Sequence, residues 1–285
     1  MREERGIAII VAGGSGTRMK PADTGQAEDR SSAAKKTASE KKQYLDICGK
    51  PLMAYAIAAM EQSAYIDDMV VVVSPGDEDY VRNAIVTRYG FTKVRAIVPG
   101  GRERCHSVYA GLCAADRLLA DGGEHRPEDA VVYIQDAARP FLTEEILMRV
   151  RDGVLRHGAC VAAMPVKDTI KQVAVAEKQA DGKAGGAAAV YVRATPDRST
   201  LWAMQTPQAF RFSAVYDAYR KLMEEERAGE PLSGVTDDAM VVERYFPEQR
   251  IFLAEGSYRN IKITTQEDLT IARAFACGET GEMIE

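Results

Sequence analysis

Aliphatic residues come along this chain in short runs: residues 7–11 (IAIIV), 69–74 (MVVVVS), 94–98 (VRAIV), 130–135 (AVVYIQ) and 159–164 (ACVAAM). Most of these runs lack polar alternation, which is what strands buried on both faces of a parallel sheet require. Between them lie stretches that predict helices over residues 51–62, with proline in the first turn, and over 77–89, 103–119 and 143–157. Such alternation implies βαβ units with right-handed crossovers and ligand sites at the carboxyl ends of the strands. Helices follow over 213–227, 236–245 and 265–277, the second opening with Thr236-Asp237-Asp238 as an N-cap with an acidic first turn. Late strands are predicted over 250–254 and 261–264. The fold class is therefore α/β, a mostly parallel Rossmann-like sheet flanked by helices.

Two segments break the rhythm. Residues 20–41 are almost devoid of large apolar side chains and rich in Ala, Ser, Lys and acidic groups, so they cannot build a core and are expected to be mobile without ligand. Such a segment reads either as a lid or as a tolerated surface insertion. Residues 166–199 read as two extended segments flanking a small-residue tip, a protruding β-hairpin arm. An arm of this kind exposes unpaired edges in a monomer, and pairing with a second subunit resolves that.

Composition narrows the picture. With 285 residues and 46% hydrophobic composition the chain can bury a substantial core, and residues 1–285 read as a single domain that includes the insertion and the arm. The net charge of −5 disfavours nucleic acid as a partner and asks that any polyanion site be a local cationic pocket. Five cysteines, Cys48, Cys105, Cys113, Cys160 and Cys277, are odd in number and form no C-x-x-C, so reduced, buried or inert thiols in a cytoplasmic protein are expected. His106, His125 and His157 pair with no cysteine at metal-site spacing, and no apolar run is long enough to span a membrane.

The chemistry begins where the first strand ends. Ala12, Gly13, Gly14, Ser15 and Gly16 offer backbone N–H groups with little side-chain bulk, and Arg18 adds a permanent charge. The dinucleotide fingerprint would need glycine at Met19, and the P-loop would need Gly-Lys at Arg18 and Met19, so neither template fits. The turn is either a nucleotide cradle or a mere tight turn. A second glycine turn, Gly100-Gly101, precedes Arg104, Ser107 and Val108. Asp136, in the string Asp136-Ala137-Ala138-Arg139-Pro140, stands directly after an interior strand, where a carboxylate can orient a hydroxyl or a metal-bound water. Arg139 can neutralise it or face a phosphate. Four cations, Arg18, Lys42, Arg198 and Lys262, are candidates to converge on phosphate. With no Ser–His–Asp or Cys–His arrangement in evidence, the pattern suits phosphoryl chemistry by positioning and charge neutralisation.

These motifs carry a resemblance. The GG-x-G-T-R-M loop, the K-Q-Y-L segment around Lys42 and the G-K-P-L element at residues 49–52 resemble the opening of the sugar-nucleotide pyrophosphorylase type of nucleotidyltransferase. The G-G-x-x-R-x-x-S-V turn, D-A-A-R-P, residues 201–210 (LWAMQTPQAF) and the N-I-K segment at 260–262 narrow it to the 2-C-methyl-D-erythritol 4-phosphate cytidylyltransferases of non-mevalonate isoprenoid synthesis. The resemblance spans nearly the whole chain. It implies CTP bound by Ala12, Gly13, Gly14, Gly101 and Ser107, and a polyol phosphate site lined by Asp136, Arg139, Thr169 and Thr236. It also implies Arg18 and Lys42 at the pentacoordinate α-phosphorus, Arg198 and Lys262 positioning the attacking phosphate, and Mg²⁺ carried mainly by the CTP phosphates. The arm would form a homodimer and lend Arg198 to the neighbouring site. The long 20–41 connection departs from the family, in which it is much shorter. A ribitol 5-phosphate cytidylyltransferase and a non-catalytic nucleotide-binding scaffold of the same fold are the alternatives.

Overall fold

The computed structural model describes residues 4–13, 41–122, 129–175, 190–232 and 234–278. Gly14, Arg18, most of the 20–41 insertion and the arm tip over 176–189 lie outside the described residues.

Strand β1 (Arg5–Ala12) is flanked by β4 (Asp68–Val73) and β6 (Ala130–Asp136), both parallel to it. Adding β5 (Val94–Pro99), β7 (Ala159–Pro165), β10 (Trp202–Arg211) and β11 (Phe252–Glu255) gives a seven-stranded sheet in the order β11-β7-β10-β6-β1-β4-β5. Side chains alternate across β1: Ile7 and Ile9 join one core, Ala8 and Ile10 the other. Helices α1 (Leu52–Gln62) and α4 (Glu144–His157) cover one face, as does the helical stretch that starts as α2 (Glu78–Val81) and widens into a π-helical turn over Arg82–Thr87. Helices α3 (Arg104–Gly122), α5 (Phe212–Arg227) and α6 (Asp238–Tyr245) cover the other. Helix α7 (Gln266–Gly278) packs on a small separate core with the two-residue strands β2 (Asp46–Ile47) and β3 (Lys50–Pro51).

The predicted α/β layering is present, and five strands fall where their apolar runs stand. The differences have physical causes. Residues 202–211 form a strand antiparallel to both β6 and β7, so the sheet is mixed; the polar Gln205, Thr206 and Gln208 in it hide an interior strand from a hydrophobicity reading, yet all three are buried. Residues 261–264 are not a strand; the segment makes two backbone bonds, Ile261 N–H to the Arg259 carbonyl and Ile263 N–H to the Ala138 carbonyl, both at 2.8 Å, and buries Ile263. The cap of α6 is Asp237, which accepts from Met240 N–H, rather than Thr236. Pro51 stands just before α1 instead of inside it. Cys48 and Cys277 form a disulfide across 229 residues, which corrects the expectation of reduced thiols; the bridge is tertiary, so sequence spacing carried no sign of it.

The arm is a two-stranded antiparallel hairpin of β8 (Gln172–Val175) and β9 (Val190–Ala194). Val173, Val190, Tyr191 and Val192 on it are between 53% and 63% exposed, apolar surface left uncovered among the described residues.

Helix α3 lies close on the sheet because Gly111 has no side chain: a Cβ there would stand 2.5 Å from Ile9 Cγ2 and 3.0 Å from Val72 Cγ2. Gly111→Val should overpack this contact and lower stability by about 1–3 kcal/mol. Urea denaturation checks it, the expected outcome being a lower midpoint with an unchanged slope; an unshifted midpoint would show that α3 can back away at no cost.

Candidate functional site

Glycine turns meet at the carboxyl edge of the parallel strands, and Ser107 pins the Gly100–Gly101 turn to the start of α3 while standing close to Gly13. Its hydroxyl accepts from Gly101 N–H at 3.2 Å and donates to the Glu103 carbonyl at 3.2 Å, in the first turn of α3. A Cβ on Gly13 would meet Ser107 Oγ at 3.0 Å, and one on Gly100 would meet it at 2.6 Å, so the glycines here permit close backbone approach. The K-Q-Y segment docks on the same edge: buried Gln43 donates Nε2 to the Ala12 carbonyl at 2.8 Å. Lys42 opens the short 3₁₀ turn Lys42–Tyr44 and is half-buried. Its neighbour Lys41 is committed elsewhere, with Nζ 2.7 and 2.6 Å from the two Asp77 oxygens. Asp77 also accepts from the Tyr44 hydroxyl at 2.9 Å; burial and then this carboxylate push the Tyr44 phenol well above its ordinary value.

Asp136, at the end of β6, is the centre of the site. Burial alone would raise its carboxyl, but Arg104 and Lys262 beside it, with a further contribution from Arg139, hold it well below the usual carboxylate range. Lys262 Nζ lies 2.6 Å from Oδ2 and Arg104 Nε 3.3 Å from Oδ1. Arg104 is itself gripped by Asp238, Nη1 to Oδ1 and Nη2 to Oδ2, both at 2.7 Å. Asp238 is fully buried and also accepts from the Tyr219 hydroxyl. Burial works to lower the Arg104 guanidinium, and Asp238 and Asp136 more than reverse it, so the group stays charged. Removing one member of such a buried pair costs about 3–5 kcal/mol, because the other charge is left stranded. The ladder Tyr219–Asp238–Arg104–Asp136–Lys262 thus joins α5, α6, α3, β6 and the 256–264 segment.

The T-P-Q string of β10 has a definite structural task. Thr206 Oγ1 accepts from Asp136 N–H at 3.1 Å, and the Thr206–Pro207 peptide is cis. Gln208 Oε1 accepts from Asp238 N–H and Ala239 N–H at 2.9 and 3.0 Å, satisfying first-turn donors of α6, while its Nε2 donates to Asp237. Asn260 is equally fixed: its Nδ2 donates to Gln205 Oε1 at 3.1 Å and to the Thr206 carbonyl at 2.9 Å. Lys262 then projects towards Asp136 between half-buried Ile261 and fully buried Ile263.

Of the residues singled out in the sequence, the structure brings Ala12, Gly13, Gly101, Ser107, Asp136 and Lys262 to this strand edge, with Lys42 on the segment docked against it. Arg139 is present but occupied, donating Nη1 to the Asn260 carbonyl at 2.7 Å and Nη2 to the Met204 carbonyl at 3.3 Å; it braces the site. Thr236 is exposed, its hydroxyl 3.0 Å from Met240 Sδ. Thr169 and Arg198 are exposed at the base of the arm, where Arg198 Nη1 donates to the Lys167 carbonyl at 2.7 Å. Among the described residues neither hydrogen-bonds nor ion-pairs with Asp136, Arg104 or Lys262. Sequence reasoning missed Asp238, Tyr219, Gln208 and Asn260 as members of the site. Gln208 and Asn260 stood inside motifs already quoted, whereas nothing marks Tyr219 along a helix rich in apolar and charged positions.

The profile of the 2-C-methyl-D-erythritol 4-phosphate cytidylyltransferase family matches residues 31–277. A protein of Lachnospira eligens bearing that name is 40% identical over 271 residues, 95% of this chain and 99% of the relative. Its namesake in Pelotomaculum thermopropionicum is 37% identical over 98% of this chain and 97% of its own length. The crystal structure of 4-diphosphocytidyl-2C-methyl-D-erythritol synthase from Anaerococcus prevotii superposes with a TM-score of 0.70 at 26% identity, covering 96% of this chain and 97% of that one. With its glycine turns gathered on Ser107 and its Asp136 carboxylate held between Arg104 and Lys262, the chain belongs to the 2-C-methyl-D-erythritol 4-phosphate cytidylyltransferase family.

Proposed function

We propose that this protein joins CTP and 2-C-methyl-D-erythritol 4-phosphate to give 4-diphosphocytidyl-2-C-methyl-D-erythritol and pyrophosphate, in cytoplasmic isoprenoid precursor synthesis by the non-mevalonate route. The observation that carries the reading is the Lys262–Asp136 pair at 2.6 Å, a cation poised over the strand edge where the small-residue turns converge. An incoming phosphate competes with Asp136 for Lys262, and Arg104 keeps the carboxylate compensated while it does so. Charge-assisted contacts of this kind contribute about 1.5–3 kcal/mol each.

In the step itself a phosphate oxygen of the acceptor attacks the α-phosphorus of CTP in line. The new P–O bond forms as the α–β bridge bond breaks, and its electron pair leaves with pyrophosphate. Arg18 and Lys42 offset the charge that builds on the α-phosphoryl oxygens, and Lys262 orients the attacking group. Gly13, Gly14, Gly101 and Ser107 accommodate the nucleotide, and Asp136 accepts from an acceptor hydroxyl, with Thr169 and Thr236 completing the wall. Mg²⁺ enters as a partner of the triphosphate: the Asp136 carboxylate is already shared between two cations, a donor set that suits an ion held mainly by phosphate oxygens. Bound there, the ion would supply further neutralisation of the leaving pyrophosphate.

The site is completed by a second subunit. The exposed apolar side chains of β8 and β9 ask for a partner, and Arg198 sits at the base of that arm, with no hydrogen bond or ion pair to the Asp136 ladder of its own chain among the described residues. Such a homodimer delivers Arg198, with Thr169, to the neighbour.

Pyrophosphate release should be fastest with CTP and the methylerythritol phosphate; faster release with ribitol 5-phosphate would reassign the acceptor, and none with any polyol phosphate would indicate a scaffold. Lys42→Ala should reduce kcat by about 10²–10³, the scale on which one group acting on developing charge contributes. Lys41→Ala, which removes one partner of Asp77 and leaves its bond from the Tyr44 hydroxyl, should stay within about threefold of the parent. The reverse ranking would transfer the role to Lys41.

A mixing experiment reads the arm. In a heterodimer of Lys42→Ala and Arg198→Ala subunits, the site on the Arg198→Ala chain keeps its own Lys42 and receives an intact Arg198. Random exchange makes about half of all dimers mixed, each with one complete site, so activity should recover to roughly a quarter of the parent value. Recovery no better than the mean of the two variants, with exchange verified by mass, would show that each arm serves its own chain.

A further inference from the structure

The small core beneath α7 lies outside the sheet and supports both ends of the reaction centre. Leu269, Ala272 and Ala276 of α7 meet Ile47 of the β2–β3 hairpin, Leu52 of α1 and Ile263, with Leu45 and Ile261 packed at the margin. Leu45 directly follows the Lys42–Tyr44 turn, and its carbonyl accepts from Leu52 N–H at 2.9 Å. Ile261 and Ile263 flank Lys262. One cluster therefore carries the segments of both lysines. The hold of α7 on it is thin, because two of its three buried residues are alanines.

The disulfide is placed where that hold is weakest. Cys277 lies one residue from the end of α7 and Cys48 at the tip of the β2–β3 hairpin, and both are exposed. The hairpin pairs Ile47 with Lys50, leaving a two-residue turn of Cys48 at φ +50° and Gly49 at φ +81°. Asn, Asp or Gly is the usual choice for both positions of such a turn. A cysteine there has no local conformational advantage, which points to its sulfur as the reason for it. The other three cysteines differ: Cys105 and Cys160 are buried, and burial pushes both thiols up, Cys160 to about 12, while Cys113 is only partly accessible.

We propose that Cys48 and Cys277 form a reversible thiol–disulfide exchange site, and that the bridge staples the platform under Lys42 and Lys262. The oxidant is a low-molecular-weight disulfide. One cysteine thiolate attacks it, forming a mixed disulfide and releasing one thiol; the second cysteine thiolate attacks the protein-side sulfur, closing the bridge and releasing the other. Two protein thiols are oxidised, one small disulfide is reduced to two thiols, and a dithiol reductant reverses the exchange. Closing so long a loop restrains the helix most where its own packing restrains it least. The effect on turnover rests on the functional reading above; the bridge itself does not.

The test compares protein equilibrated in oxidised glutathione with protein reduced by dithiothreitol. Denatured samples should titrate three thiols after oxidation and five after reduction. Amide exchange across residues 266–278 should be at least tenfold faster in the reduced form, and pyrophosphate release at least threefold slower. Cys48→Ser and Cys277→Ser should behave as the reduced protein in either buffer, while Cys113→Ser keeps the full response. Five thiols after oxidation, exchange in α7 equal within twofold, or turnover unchanged within twofold would each overturn the proposal. Absence of turnover in both states would count against the functional reading alone, since thiol count and amide exchange are read without substrate.

Discussion

The Asp136 carboxylate is the constraint on which the site depends. It stands at the end of an interior strand with 7% of its surface exposed, and an ionised carboxylate so placed costs several kcal/mol unless cations and hydrogen bonds compensate it. Arg104 and Lys262 supply the cations. Each must in turn be held, and the means differ: Arg104 by a bidentate pair with fully buried Asp238, Lys262 by a backbone segment pinned through Asn260 and Ile263. Satisfying one buried charge thus determines the placement of α3, α6 and the 256–264 segment around β6.

Polar residues inside the sheet make this possible. Strand β10 runs antiparallel between two strands that would otherwise be neighbours, and its buried Gln205, Thr206 and Gln208 point their hydrogen bonds outward to the loops. Gln208 adds to the Asp237 cap of α6 by accepting from two further first-turn N–H groups, and Thr206 takes the N–H of Asp136 itself. Arg139 plays a similar part from the other side, joining the Asn260 and Met204 carbonyls. These contacts stiffen the Asp136 side of the site, whereas the side formed by Gly13, Gly100 and Gly101 relies on close backbone approach around Ser107. A rigid charged side and a glycine-lined side suit chemistry by positioning and charge.

Much of this was legible in the sequence because it depends on short-range pattern. Aliphatic runs mark buried parallel strands, and β1, β4, β5, β6 and β7 lie where their runs stand, within two residues at each end. Glycine turns after strands and a carboxylate after β6 mark the carboxyl edge as the candidate site, because in a parallel sheet all such ends face one side. Asp136 and Lys262, 126 positions apart, could each be singled out as charged residues in motifs.

Their pairing could not be read, nor could Arg104 be recognised as gripped by Asp238, since both depend on which loops the sheet order brings together. Strand β10 was hidden by its own polar residues, whose partners lie on other elements. The 261–264 segment has the apolar alternation of a strand but bonds to Ala138, beyond the end of β6, and not to a strand, so it stays a loop that buries one isoleucine. The union of Cys48 and Cys277 is likewise invisible in one dimension, because it follows from α7 folding back on the β2–β3 hairpin. The sequence by itself determined the layers, the candidate edge and the chemical groups available there. Tertiary structure decided which charges compensate one another, because compensation in a buried site is set by distance and desolvation, and neither is a property of position along the chain.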